Sequence, residues 1–416
     1  MARFAIDFSA IRETLSNPNF RRFTTGNAVS LLGSWIQRMA VGYLTWDLTH
    51  SGTWLGAVAM AEFIPVLFLA PITGVFIDRF DKRKIAVMGQ AFALVQAAVL
   101  ASLTIAGFIT PVLIFMLQLF AGVIQPVIQT ARLVLVPMML PRHRVGNAVA
   151  ITSLIFNTTR ILGPAVGGVI ITTIGVGWSF AANAVSYFGV ITALMSLELP
   201  PHVPTQRGRG GFIGEMRAGW SYTLKHPVLG WLIPTVGIAS MLTWPIGDLM
   251  AGIADEMFQR GAAGLAALTS AQGVGAIMGG LVLAQRPTVE GFGRLIIGAM
   301  IMNGLLVAAF SMNHIFWLAL VILFVSSFFS VMVGVGSQSL TQSVVNDQMR
   351  GRALSVWYTI TRSLPAIGAL LLGWLSSHFG FEGPLFAAGV ITAVAAAINL
   401  FLRDLGGPKA GADQSR

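Results

Sequence analysis

The chain has 416 residues, of which 55% are hydrophobic and only 10% charged, against about 25% charged in soluble domains. That leaves too little polar surface for a soluble globule and excludes a cytosolic enzyme, a disordered protein and a nucleic-acid binder; the absence of cysteine excludes disulfides, thiol catalysis and cysteine metal sites. The net charge of +10 follows from where the basic residues fall along the chain and needs no polyanionic partner.

Residues 1–22 are polar and charged. They read as a tail rather than a cleavable signal peptide, because the apolar run after them is too long for a signal's apolar region. A helix needs about 20 mostly apolar residues to cross the hydrocarbon. Runs of that order fall at roughly 23–45, 54–77, 85–107, 111–132, 147–173, 177–197, 228–252, 263–285, 293–311, 315–343, 352–376 and 382–402, twelve in all. Their length, and the lack of alternating short segments, make them helices and not strands.

The first run carries Arg38 and the second Glu62, each about seven or eight residues from the same membrane face, hence ~10–12 Å deep. Ionisable groups at such depth are expensive and mark function by default. Two readings stand for the pair. Glu62 is a titrating carboxylate loaded and unloaded by alternating access, or Arg38–Glu62 is a static salt bridge. The fourth run sets Gln118, Gln125 and Gln129 on one stripe. The fifth sets Ser153, Asn157 and Arg160 on one face, ahead of Gly163-Pro164-Ala-Val-Gly167-Gly168.

Residues 198–227 form the longest connection. It is rich in Pro, Gly and Arg at first; then Phe212, Met216 and Trp220 recur at helical spacing, as in an amphipathic helix lying on the membrane face. Beyond it the seventh run holds Asp248, another carboxylate that can titrate. The eleventh repeats the pattern of the fifth, with Ser355, Thr359 and Arg362 on one face and Pro365 close behind. Tyr358 lies beside them. Arg160 and Arg362 suit the acidic group of a cargo, or else pair with a carboxylate or with carbonyls freed at the proline kinks. Trp35, Phe63, Trp244, Trp357 and Tyr358 offer aromatic walls for an organic cargo, or ordinary interior packing. Residues 403–416 form a polar tail.

The linker thus divides a predicted six-helix bundle (23–197) from a second (228–402). Asn17-Pro18-Asn19 ahead of the first run echoes His226-Pro227-Val228 ahead of the seventh. Such a weak repeat marks a secondary transporter with pseudo-symmetric halves. Of the 26 basic residues, all but Arg38, Arg160, Arg260 and Arg362 lie on one set of connections. The asymmetry places both termini and the linker in the cytoplasm.

Between the second and third runs stands Gly74-Val-Phe-Ile-Asp78-Arg79-Phe-Asp-Lys82-Arg83-Lys84. This resembles the signature loop of the major facilitator superfamily, with Asp81 where that family usually has glycine. The resemblance implies an all-α membrane protein of twelve helices in two bundles. It also implies a cytoplasmic latch of Gly74, Asp78, Arg79, Lys82 and Arg83, with Asp78 facing the positive N-terminus of helix eleven. Gly163, Pro164, Gly167 and Gly168 are similar to the antiporter signature on helix five, although its two earlier glycines are Ala150 and Thr159 here. Gln118 stands where family members that relay protons carry an arginine, four residues before Gly122. Leu48-Thr49-His50-Ser51-Gly52 with Trp54-Leu55-Gly56, and Arg350-Gly351-Arg352, resemble the branch of enterobactin-exporter-like and macrolide-efflux-like drug–proton antiporters.

No Gly-x4-Gly-Lys-Ser/Thr phosphate loop and no clustered histidines occur, so neither ATP hydrolysis, a metal nor another cofactor is expected. The expectation is a monomeric exporter of a small organic molecule, a drug-like compound or a siderophore, in the bacterial cytoplasmic membrane. The proton is its coupling ion, with Glu62, Arg38 and Asp248 as candidates for that coupling. Arg160, Arg362, Gln118, Gln125, Asn157 and Tyr358 are candidates for the cargo cavity. An uptake symporter or a proton-independent facilitator of the same fold is the alternative, and a non-transporting receptor or scaffold a weaker one.

Overall fold

The computed structural model describes residues 8–198, 212–286 and 291–406, with side chains described except at 8–11, 70–72, 74–79, 142, 212–216, 347–348 and 402–406. Every regular element among them is a helix. In chain order these are α1 (Phe8–Leu15), α2 (Pro18–Thr49), α3 (Gly52–Arg79), α4 (Lys82–Ile105), α5 (Pro111–Met139), α6 (Val145–Thr173) and α7 (Val176–Met195). Then come α8 (Phe212–Lys225), α9 (Leu229–Thr243), α10 (Ile246–Gly252), α11 (Gly261–Ala284), α12 (Phe292–Ser311), α13 (Phe316–Val344), α14 (Asp347–Phe379) and α15 (Glu382–Gly406).

Among the described residues ten stretches are long and apolar enough to cross a membrane, α9, α10 and the turn after them counting as one. The first and eleventh predicted runs lie in α2 and α14, whose 32 and 33 residues are long enough but more polar. They are the helices that carry Arg38 and Arg362. The seventh run is not one straight helix. It stops at Thr243, because Pro245 offers no amide to the ladder, resumes as α10, and closes in a π-helical turn, Ile253–Met257. The tail before the first run is not featureless either: in α1, Thr14 is fully buried, Leu15 packs on the core and Glu13 pairs with Arg144. The predicted linker helix is α8, with Trp220 and Tyr222 packed against protein core. The rest of that linker, 199–211, and the tail from 407 lie outside the described residues.

Contacts divide the chain into two compact units, Met1–Gly208 with Met250–Ser270, and Arg209–Leu249 with Ala271–Arg416. Within the first, α2 packs on α6 and α7, and α4 on α5 and α7. Within the second, α9 packs on α14 and α15, and α12 on α13 and α15. The same pairings recur in the same order. The first core gathers Phe20, Phe23, Ala97, Leu135 and Leu194; the second gathers Leu229, Ile233, Ile296, Met300 and Ala396.

The repeat reaches atomic detail at the two entry motifs. The Asn17 side chain accepts the Phe20 amide, capping α2, and donates to the Met139 carbonyl at the end of α5. In the second unit His226 Nδ1 accepts the amides of Val228 and Leu229, capping α9. This leaves Nε2 to donate to the Val344 carbonyl at the end of α13. Each side chain thus satisfies donors at a helix start and an acceptor at a helix end, groups left over by the helical ladder itself.

Candidate functional site

In the first unit a cavity of about 60 Å³ opens beside Arg38 and Glu62. Ser34, Gln37 and Arg38 reach it from α2, Glu62 from α3, Gln96 from α4, Gln118 and Gln125 from α5, and Asn183 and Tyr187 from α7. Gly122 sets the spacing. A Cβ there would overlap the Glu62 carbonyl oxygen and stand 2.9 Å from that of Ala61. Only a glycine lets α5 lie so close on α3, and Gln118 and Gln125 sit one turn to either side of it.

The cavity wall carries a chain of amides. Asn183 donates to Gln37 at 2.9 Å, Gln37 to Gln96 at 3.0 Å and Gln96 to Gln118 at 3.2 Å. Ser186 closes the far end by donating to Asn183. Gln37, Gln96, Gln118 and Asn183 are all buried. Isolated amides in separate apolar runs therefore prove to be one network across α7, α2, α4 and α5. Gln37, Gln96 and Asn183 escape sequence reasoning, although each is a lone amide in an apolar run that needs a partner on another helix.

The second unit repeats the device with shorter side chains. Asn303 of α12 donates to Thr243 of α9 at 3.0 Å and accepts from Ser326 of α13 at 2.7 Å. These are the counterparts of α4, α2 and α5. Asn303→Ala is expected to destabilise the protein by about 1 kcal/mol, read as a lowered unfolding midpoint in detergent; an unchanged midpoint would show that the contact is dispensable.

Arg38 and Glu62 come together as the sequence suggests, with Nη1 3.7 Å from Oε1. The guanidinium also lies 5.1 Å from the Phe63 ring centre and 6.0 Å from that of Trp35. Arg160 is half-buried on α6. It lies between Phe156, whose ring meets Trp35 edge-on at 5.7 Å, and Gly163, where a Cβ would overlap that of Trp35. It therefore faces the stretch of α2 that bears Arg38, and the two charges repel. Arg160 has no ion pair and no hydrogen bond among the described residues. Asn157, one turn away, donates to the Ser153 carbonyl.

Pro164 lies within α6. A Cβ at Gly168 would stand 2.5 Å from Ala266 Cβ, and one at Gly167 3.3 Å from Met39 Sδ. In the second unit Arg362 is exposed on α14, its guanidinium 5.2 Å from the ring of Tyr358. Asp248 is half-buried on α10 of that unit and does not line the first unit's cavity. Gly74, Asp78 and Arg79 lie in the last turns of α3, where side chains are outside the described residues. Lys82 and Arg83 open α4. Asp81 caps it by accepting the Arg83 and Lys84 amides at 2.9 and 3.1 Å, which accounts for an aspartate there instead of glycine. Arg83 reaches the Leu197 carbonyl at 3.0 Å. One contact had no sequence signal at all: the Trp46 indole donates to Asp255 of the π-helical turn at 2.9 Å.

Residues 10–412 match the family described as transmembrane secretion effector. The chain is similar to the enterobactin exporter EntS of Shigella boydii serotype 4 (strain Sb227), 25% identical over 363 residues, 87% of this chain and 86% of that protein. It is 24% identical to the enterobactin exporter EntS of Escherichia coli O139:H28 over the same shares of each chain. Among solved structures it is similar in fold to a bacterial homologue of the human lysosomal transporter Spinster. That match has a TM-score of 0.70 at 12% identity and covers 92% of this chain and 97% of the other. The nucleoside transporter NupG gives a TM-score of 0.71 at 12% identity, over 92% of this chain and 99% of that one.

Proposed function

Because the chain belongs to the transmembrane secretion effector family of the major facilitator superfamily, and so is a multi-pass secondary transporter of small molecules, we propose that it exports an organic molecule bearing an acidic group. The observation that carries this reading is Arg160, a half-buried guanidinium with no carboxylate or hydrogen-bond partner among the described residues. A cation held at depth without a counter-ion is expensive unless a ligand supplies one. Arg362, resting on the open face of Tyr358, offers the same chemistry in the second unit. Similarity to enterobactin exporters favours export and a siderophore-like cargo. Gln118, Gln125 and Asn157 supply neutral polar contacts.

Export is driven by proton antiport through alternating access, with Glu62 beside Arg38 taking the proton and Asp248 the further carboxylate in play. The segment from Gly74 to Arg83, the end of α3 and the start of α4, acts as a cytoplasmic latch that favours the outward-open state. The protein works as a monomer in the bacterial inner membrane, with both termini in the cytoplasm and one six-helix bundle on each side of the 198–227 linker. A proton-independent facilitator is the second reading. It is favoured by Gln118, a neutral amide tied into a neutral chain where relay members of the family carry a charge.

Inside-out vesicles loaded with acid give the test. Adding an aryl carboxylate or catecholate chelator is expected to collapse the pH gradient in the wild type and not in Glu62→Gln. Asp78→Asn is expected to slow the collapse without weakening cargo binding. Labelled-cargo flux that ignores a protonophore would leave the facilitator reading. Collapse with cationic dyes alone would overturn the acidic cargo.

A further inference from the structure

The two entry motifs do one job with different chemistry. Asn17 caps α2 through a carboxamide oxygen, which takes no proton at ordinary pH. His226 caps α9 through a ring nitrogen, the atom at which a neutral imidazole takes its proton. The amides of Val228 and Leu229 point at Nδ1 from 3.2 and 3.3 Å. That nitrogen therefore holds a lone pair, and the ring's one hydrogen sits on Nε2, 3.2 Å from the Val344 carbonyl oxygen. Both amides open α9, where no preceding turn offers them a carbonyl. A side chain that cannot titrate does the same work in the first unit, so capping alone does not call for a histidine.

A proton on Nδ1 would turn the acceptor into a further N–H facing two others. The bonds from Val228 and Leu229 cannot survive that, whereas the bond from Nε2 to Val344 can. The ring is half-buried between the exposed Lys225 and Pro227, so solvent reaches it. The described groups around it offer the new charge no counter-ion. Tyr222 lies 5.6 Å away, ring to ring. Helix α8 adds Arg217 and Lys225, α12 and α14 begin with Arg294, Arg350 and Arg352, and α9 and α13 carry no charged residue. The side chains of Glu215 on α8, Asp347 on α14, and Arg403 and Asp404 on α15 lie outside the described residues. His226 itself has no ion pair among the described residues.

The residue also stands at a corner. Its amide donates to the Tyr222 carbonyl at 3.0 Å, closing α8, and its carbonyl accepts the Gly230 amide at 2.9 Å, opening α9. We propose that His226 is an acid-operated switch at this corner: neutral, it caps α9 and ties it to the end of α13; protonated, it drops the cap and frees the first turn of α9. An O–H bond of hydronium breaks, an Nδ1–H bond forms, and the ring gains one positive charge. The cap is thus held at higher pH and lost as the pH falls. This proton acts in place and is not transported, so the inference stands apart from the proton-coupled reading of export.

Hydrogen–deuterium exchange of the full chain in lipid vesicles tests it without cargo or gradient, each rate being referred to that of an unstructured peptide at the same pH. Between about pH 7.5 and 5.5 the protection of the Val228 and Leu229 amides is expected to fall roughly fivefold, the worth of one helix cap. The Phe20 amide, held by Asn17, should keep its protection and serves as the internal control. His226→Asn is expected to keep the high-pH protection and abolish the response. His226→Ala should show the low protection at both pH values. Nitrogen spectra of histidine-labelled protein should show the Nε2–H tautomer at the higher pH and a doubly protonated ring at the lower one, in the signal that His226→Ala removes. A response that persists in His226→Asn overturns the switch. So does protection that holds while the ring is charged, or a ring still neutral at the lower pH. Should His226→Asn fail to fold, the wild-type exchange and nitrogen spectra decide.

Discussion

Replacing Arg160 by glutamine is expected to raise the half-saturating cargo concentration in vesicle export by about ten- to a hundredfold, the worth of one charge-assisted hydrogen bond of roughly 1.5–3 kcal/mol. The glutamine keeps much of the side chain's bulk and its hydrogen-bonding capacity, so Phe156 and Gly163 should keep their places against Trp35. Arg160→Lys keeps the charge but not the planar fork and should fall between the two. Folding should not suffer, since Arg160 holds no ion pair among the described residues for the change to break. An unchanged half-saturating concentration with a lowered unfolding temperature would turn this arginine into a packing residue and remove the main support for an acidic cargo.

The second large effect is expected at Gly163. A Cβ there would overlap Trp35 Cβ and stand 3.3 Å from the Trp35 backbone carbonyl carbon, so α6 cannot keep its place on α2 with any side chain at that position. Overpacking of this kind costs about 1–3 kcal/mol or more. Gly163→Leu should therefore yield little monodisperse protein after extraction, and what remains should unfold several degrees early. Gly167→Ala, one turn along, is the control. Its new methyl would crowd the Met39 sulfur at 3.3 Å, part of a side chain that bends easily, and meet the Ile36 backbone only at an ordinary 3.6 Å, so near-normal yield is expected. Equal behaviour of the two variants would mean that the glycines of α6 share no close approach to α2.

Most of the helical plan is legible in the sequence because hydrophobic run length is a strong signal, and the Arg38–Glu62 meeting is legible because depth along antiparallel neighbours can be counted. The amide network is not. Gln37, Gln96, Gln118 and Asn183 lie on different helices, and nothing in one helix's pattern says which amide of another it will face. The break after Thr243 is half-legible: Pro245 forbids a continuous ladder, but the π-helical turn that follows, and its grip on Trp46, depend on how distant segments pack. Helix α1 was hidden by polarity, since the buried Thr14 and the half-buried Leu15 are outweighed in composition by exposed charges such as Arg12 and Glu13.

The lone charge of Arg160 has an electrical consequence. If the cargo is acidic and is exchanged for a proton, as proposed, the cargo carries negative charge outward while the proton carries positive charge inward. Both movements run with an inside-negative membrane potential. Each elementary charge that crosses 100 mV releases about 2.3 kcal/mol, so a cycle that moves two such charges draws on voltage twice. Such a carrier runs on the cell's battery as much as on its acidity, and it would keep working in a medium too alkaline to offer a useful proton gradient.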